Sequence, residues 1–316
     1  MMTNVAQSTL DGVLTVNKEV GWTSHDVVAK IRYVLGGVKV GHAGTLDPAA
    51  TGVLPVLVGR GTRIAEYLVE WDKEYRAVLR LGETTDTQDA TGTLVTRQST
   101  AHVTPVAIHE AVARFRGVIE QVPPMYSAIK VAGVPLYKSA RAGKTVARQA
   151  RIVTIHALDI LEIDGQDVTL RVVCSKGTYV RTLCADIGAA LEVGGHLLSL
   201  ERRRVGPLTL DQASTVDEVI ARYAVGDLAE AIVSLDQALK EFPVAVVDGP
   251  AAERIRHGAP VQMSHVRDVS DDRHTVAALT RPVRVHDAEG RLLAIGKYLV
   301  RDETVLAVEK LLVEPH

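Results

Sequence analysis

Residues 41–58 read GHAGTLDPAATGVLPVLV. The first twelve of these hold three glycines, one proline and two threonines, a composition that excludes a regular helix or a central strand. The last six, VLPVLV, form a short continuous apolar run of the kind that becomes a buried strand. The stretch therefore reads as a shaped loop feeding a core strand, with one acid, Asp47, at its centre. Pro48 pushes the preceding residue towards an extended backbone and removes an amide donor beside it. A carboxylate on a constrained loop at the end of a core strand is a common catalytic placement. A turn aspartate capping the next segment is the plainer reading, and these residues alone leave both open.

The flanking sequence predicts alternating strands and helices. Residues 11–17 form a strand entering a helix over 25–35, with Ser24 as N-cap and Gly36 as stop. Residues 75–81 alternate as a half-buried strand, and 106–116 form a helix. Segments 152–163 and 167–174 pair about Asp164-Gly165, and Gly177-Thr178 opens a helix to about Leu191. The acidic, alanine-rich 215–240 reads as helical. Beyond Phe242-Pro243 come short strands at 244–247, 281–287, 291–296 and 304–313 and one helix at 250–257 stopped by Gly258. This predicts a mixed α+β fold: a loose tail over 1–10, a large, mostly antiparallel body over 11–240, and a small β-barrel domain over 243–316.

Of the 316 residues, 47% are apolar and 23% charged, an ordinary globular balance. No apolar run reaches the roughly 18 residues of a membrane span, and the first ten residues lack the pattern of a secretory leader. Two cysteines, Cys174 and Cys184, provide neither a disulfide framework nor the usual zinc spacing, so a reducing, cytoplasmic setting is expected. The net charge of -2 argues mildly against nucleic-acid binding, but the charge is segregated. Lys138, Arg141, Lys144, Arg148 and Arg151 lie in a run without an acid, and Arg202, Arg203 and Arg204 follow later. Seven acids lie between Leu208 and Phe242. A basic stripe can grip phosphates while an acidic back lowers the sum, although solvated faces give the same counts.

The loop string closely resembles the catalytic motif of the bacterial tRNA pseudouridine synthase B family, whose members modify the T loop of tRNA. Four further strings match in order. They are Val16–Ser24 (VNKEVGWTS, with Glu19 where the family usually has proline) and Lys73-Glu74-Tyr75 followed by Leu81–Asp89 (LGETTDTQD). Pro123–Lys130 (PPMYSAIK) comes next, with Gly133, Tyr137 and Ala140-Arg141, and then Lys176–Leu183 (KGTYVRTL). Together they cover about residues 11–207.

The resemblance implies an isomerase that breaks the uridine C–N glycosidic bond and joins the same base through carbon. That reaction needs no redox change, so no cofactor and no metal are expected. Within the family the match to Asp47 is the essential carboxylate, the match to Arg181 pairs with it, and the match to Tyr75 stacks on the uracil and is the candidate for removing its C5 proton. A carboxylate suits the task, as in glycosidases. A guanidinium beside it is expected to keep it ionised and aimed. By the same resemblance Tyr179 and Leu200 wall the pocket, Lys18 braces the loop, and His42 fills the space left by a flipped base. Lys130, Arg141, Lys144 and Arg148 belong to an RNA-clamping insertion at about 125–151. Glu201 stands where an arginine is usual, which leaves the roles of Arg202, Arg203 and Arg204 unassigned. Residues 243–316 resemble the small RNA-binding PUA domain. The implied partner is the T stem-loop of tRNA, bound by a monomer with no obligate protein partner and no membrane.

Other readings are weaker. Asp86 and Asp89 fit no calcium-loop spacing and read as turn residues. A guide-RNA-dependent synthase would act within a protein particle, whereas the bacterial-type insertion and the lack of long charged tails favour a stand-alone enzyme. A non-catalytic RNA-binding relative would be expected to lack at least one of Asp47, Tyr75 and Arg181.

Overall fold

The structure, a computed structural model, describes residues 10–127, 129–131, 133–268, 281–300 and 303–314. Residues 1–9 of the expected 1–10 tail and the side chains of Lys130, Tyr137, Arg141 and Asp268 lie outside what is described. In chain order the body comprises β1 (Gly12–Lys18), α1 (Ser24–Val34), β2 (Val40–His42), β3 (Thr51–Val58), α2 (Ala65–Val69), β4 (Lys73–Leu81), β5 (Glu83–Thr85), β6 (Leu94–Arg97), α3 (Pro105–Ala113) and β7 (Gly117–Gln121). It continues with β8 (Lys130–Val131), β9 (Val134–Pro135), α4 (Leu136–Arg141), β10 (Arg151–Asp164), β11 (Asp167–Cys174), α5 (Val180–Ala190), β12 (Gly195–Val205), β13 (Leu208–Thr209), α6 (Val216–Val225), β14 (Ile232–Val233) and α7 (Leu235–Ala238). The C-terminal part holds β15 (Val244–Val247), α8 (Gly249–Arg256), β16 (Val261–Gln262), β17 (Val266–Asp268), β18 (Val283–His286), β19 (Leu292–Val300) and β20 (Thr304–Leu311).

The body is the mixed, antiparallel-rich α+β fold expected. One ten-stranded sheet runs β14-β1-β3-β12-β4-β11-β10-β7, with β2 beside β3 and β13 beside β12. Its strands pair antiparallel except at one place. β3 and β12 run parallel and share only the registers Thr51 with Glu201 and Gly52 with Arg202. This short seam joins the β14-β1-β3 half to the half built on β12-β4-β11. β1 and β3 are buried on both faces, which explains their unbroken apolar runs. β4 alternates, with Tyr75, Ala77, Leu79 and Leu81 inward and the more exposed Arg76 and Arg80 outward.

One core is filled by Val27 and Ile31 of α1, Ile108 and Val112 of α3, and Leu183 and Ile187 of α5, against Leu54, Val56, Leu79 and Leu170 of the sheet. A second, including Val13, Leu57, Leu68 and Leu239, reaches Ile295 and Leu312 of the C-terminal part. There a nearly closed, barrel-like sheet runs β16-β20-β19-β18-β15-β17 around its own core. It is fastened to the body by ion pairs of Glu66 with Lys310 at 2.7 Å and of Asp236 with Arg284 at 2.9 Å, and by a hydrogen bond between Asp236 and His286 Nε2 at 2.9 Å. Among the described residues no helix is long and apolar enough to cross a membrane.

Two local expectations are corrected. The N-cap of α1 is Thr23, not Ser24: Thr23 and Asp26 form a reciprocal capping box. Ser24 is buried instead, and its hydroxyl donates to the Leu46 carbonyl at 3.2 Å and accepts from the Leu46 amide at 2.9 Å. The segment 215–240 is not one helix. Gly226 takes a left-handed backbone (φ 87°) and closes α6, and a 3₁₀ turn, β14 and α7 follow.

Gly52 sits at the seam with φ +99°, and a Cβ there would lie 2.2 Å from the Arg202 carbonyl oxygen. Gly52→Ala should therefore lose more than the roughly 1–3 kcal/mol that a forced backbone costs alone. A urea-unfolding free energy within about 0.5 kcal/mol of wild type, the range of neutral surface changes, would show that the seam does not need this glycine.

Candidate active site

The loop between β2 and β3 is held by its backbone. The Ala50 amide donates to the Asp47 carbonyl at 3.0 Å, closing a turn over Pro48-Ala49. The Gly21 amide donates to the Pro48 carbonyl at 2.9 Å, and Ser24 holds Leu46. Lys18, fully buried at the end of β1, has three ammonium protons and three carbonyl acceptors: Trp22 at 2.8 Å, Glu19 at 2.9 Å and Pro48 at 3.4 Å. Burial is the main cause that lowers its pKa to about 8, opposed by the Asp47 charge. Near neutral pH it remains a cation, and one of its bonds reaches the loop at Pro48.

Asp47 projects from this frame with its side chain 44% exposed, whereas Arg181 beside it is 7% exposed. Arg181 Nε lies 3.1 Å from Asp47 Oδ2. Its other nitrogens donate to the Tyr126 carbonyl at 2.9 Å and the Thr87 carbonyl at 3.4 Å, and Nη1 lies 3.6 Å from Asp89 Oδ2. Arg181 stands in the first turn of α5, where the helix dipole disfavours a cation, so the two carboxylates offset a real cost. Buried Gln121 sets the start of that helix: its Oε1 accepts from the Tyr179 amide at 2.7 Å and its Nε2 donates to the Tyr179 carbonyl at 3.1 Å.

Arg181 lowers the Asp47 pKa, but it is not the largest influence on it. Burial raises the Asp47 pKa more than Arg181 lowers it, and the nearby Asp89 adds to the rise. The pKa of the Tyr75 phenol, buried on β4, is also pushed up by burial, and the Arg202 guanidinium opposes that rise.

Each ordered sequence string thus delivers an atom to one spot: Lys18, the 44–48 backbone, Thr87 and Asp89, the Tyr126 carbonyl, and Arg181. Residues 32–180 match the family model described as TruB family pseudouridylate synthase (N terminal domain), and residues 181–242 match the tRNA pseudouridylate synthase B C-terminal domain. The tRNA pseudouridine synthase B of Thermobifida fusca is 45% identical over 91% of this chain and 94% of its own length. That of Burkholderia mallei is 44% identical over 98% and 99%. The chain belongs to the tRNA pseudouridine synthase B family. A solved Cbf5-Nop10-Gar1 complex contains a similar chain, with TM-score 0.76 and 28% identity over 97% of this chain and 86% of that one.

Other positions singled out by the family resemblance are distributed around this spot. Tyr179 is the N-cap residue of α5, with burial raising its phenol pKa, and Leu200 packs on the core from β12 opposite Ala77. His42, half-buried on β2, has no hydrogen-bond partner at Nδ1, and burial followed by Arg202 lowers its pKa, which favours the neutral ring. In the insertion Lys144 is exposed, whereas Arg148 turns inward and donates to the Pro123 carbonyl at 3.2 Å. Lys130 and Arg141 lie outside the described side chains.

Two residues of the site were missed in the sequence. Asp89 is in a turn, as expected, its Oδ1 accepting from Thr87 Oγ1 and from the amide and hydroxyl of Thr91. That leaves Oδ2 to face Arg181. Arg202, named in the sequence only within a basic run and left without a role, lies beneath the loop.

In this family member the folded state disfavours the Asp47 anion. A folded pKa above the unfolded value makes the ionised group work against folding at neutral pH, an effect that fades as pH falls through the folded value. Arg181 also retains Asp89 and two carbonyls as partners. Asp47→Asn should therefore melt at or above the wild-type temperature at pH 7, with the difference narrowing towards acid pH. A clearly lower midpoint at pH 7 would mean that the Arg181 pair outweighs burial.

Proposed function

We propose that this chain isomerises the uridine at position 55 of the tRNA T loop to pseudouridine, acting alone on tRNA with Asp47 as the essential carboxylate. The observation carrying this reading is the asymmetry of the pair. The carboxylate is open on one side, whereas the guanidinium that aims it is buried and committed to four oxygens. An open carboxylate backed by a fixed cation can meet positive character developing at the sugar C1′ or add to the base as the C1′–N1 bond breaks. The detached base then bonds to C1′ through C5, the C5 proton leaves and N1 takes up a proton, so that product and substrate are isomers.

Uridine 55 lies inside a folded loop, so its base must leave the stack, at a cost of a few kcal/mol. Tyr75 provides an aromatic face for it, and such stacking contributes about 1–3 kcal/mol. His42, neutral and half-exposed at the loop entrance, suits the vacated space. Tyr179 and Leu200 supply the apolar walls. Lys144 and its basic neighbours fit phosphate contacts that position the T stem without reading its sequence. The barrel-like C-terminal part fits a second RNA contact towards the acceptor end. The 44–45% identity to synthases named for tRNA, against 28% for the chain from the Cbf5 complex, favours the stand-alone enzyme over a guide-dependent one.

The purified chain, incubated with unmodified tRNA transcript, should place pseudouridine at position 55, read by chemical mapping. Asp47→Asn should abolish release of label from uridine C5 while leaving the tRNA Kd within several-fold. Appreciable turnover by that variant would remove Asp47 from its role.

Lys144→Ala should weaken tRNA binding and reduce the slope of log Kd against log salt by about one. Arg148→Ala should change that slope less, because its guanidinium is already turned to Pro123. An unchanged slope for Lys144→Ala would show that the basic run does not touch phosphate.

A further inference from the structure

Arg202 is one of the largest side chains in the protein to be fully enclosed, at 1% exposure. Among the described residues no carboxylate lies within ion-pair distance of it. Its Nε donates to the Val53 carbonyl at 2.7 Å, Nη2 to Gly44 at 3.0 Å and Nη1 to Thr45 at 3.3 Å, and Tyr75 stands in register with it on the neighbouring strand β4. These acceptors lie on both arms of the loop that carries Asp47, and the aromatic Tyr75 stands beside them. A buried cation without a carboxylate is expensive unless its donors are satisfied, and a lysine could not span this set, because only the guanidinium provides a flat fork of five donors. Its strand position is equally constrained, since Arg202 stands in register with Gly52 on β3 and with Tyr75 on β4.

We propose that Arg202 is a positioning residue for the reaction, a cationic staple that fixes the Asp47 loop and the Tyr75 ring relative to each other across the β3–β12 seam. The inference rests on the reading of Asp47 as the catalytic carboxylate. Arg202 touches no substrate atom in this scheme; it sets where two groups that do so stand. Its charge also acts on the groups around it. It favours the Asp47 anion and disfavours the cationic forms of Lys18, His42 and Lys73, all of which face it. Asp47 in turn faces Arg181, Asp89 and Lys18 as well as Arg202.

The test is single-turnover pseudouridine formation with saturating enzyme, which separates the reaction from tRNA affinity. Arg202→Lys keeps the charge and loses the fork. It should fold, bind tRNA with a Kd within about threefold of wild type, and react about 100-fold more slowly, the scale of a small misplacement of reacting groups. Its acid limb should stay near that of wild type. Arg202→Met, where it folds, should be slower still and move the acid limb to higher pH, because a charge that favours the Asp47 anion is gone. Tyr75→Phe added to Arg202→Lys should cost less than Tyr75→Phe alone, since neighbouring residues that act as a unit are not additive. Arg202→Lys reacting within threefold of wild type, or losing rate only in proportion to its unfolded fraction, overturns the proposal. Asp47→Asn run beside it separates the two failures: a dead Asp47→Asn with a fast Arg202→Lys sinks the staple alone, whereas an active Asp47→Asn sinks the reading beneath it.

Discussion

Two buried cations meeting backbone carbonyls hold this molecule's central loop. Lys18 rises from the end of β1 and Arg202 from β12, and between them they engage the carbonyls of Gly44, Thr45, Pro48 and Val53. A loop rich in glycine has a large conformational entropy to lose on ordering. Apolar packing cannot supply the order here, because the loop must stay open on its outer side. Charge-assisted hydrogen bonds from beneath can supply it, since they are directional and strengthened by low surrounding polarity. They require acceptors for each cation, and the Lys18 Nζ and all three Arg202 nitrogens have them.

The same arrangement explains why Asp47 is held at some cost. A carboxylate surrounded by Lys18, Arg181 and Arg202 would ordinarily ionise more readily, yet burial and the Asp89 charge shift it the other way. The cations therefore offset desolvation instead of producing a deeply stabilised anion. A deeply stabilised anion would be a poor nucleophile and would gain little on meeting positive charge in a transition state. The site thus holds its acid without quenching it, and the stability lost there is recovered in the apolar sheet faces around β1 and β3.

Much of this was legible in the sequence. The loop at 41–52, the strand behind it, the alternation of β4 and the 164–165 hairpin follow from glycine, proline and apolar periodicity, and the ordered strings pointed to Asp47, Tyr75, Arg181 and Lys18. What escaped depended on distance in space. Thr23 and Ser24 are equally good caps by type, and only the packing of Leu46 decides which one turns inward. Asp89 reads as a turn residue because it is one; its second oxygen meets Arg181 only once α5 has been placed by Gln121. The sign of the Asp47 shift is a balance between burial and charge, and burial cannot be read from a motif.

The departure at Glu201 follows from strand geometry. Along β12 successive side chains alternate sides, and Glu201 pairs with exposed Arg203 at 3.0 Å while Arg202 turns into the interior. An arginine or a glutamate at 201 is therefore exchangeable at little cost, since an exposed ion pair contributes at most about 1 kcal/mol. Position 202 has no such freedom. Moving it by one residue would flip it to solvent and leave the Gly44, Thr45 and Val53 carbonyls without their donor. The strand's period of two thus separates a tolerant site from an intolerant one a single residue away, and the three-arginine run divides into one interior staple and its more exposed neighbours.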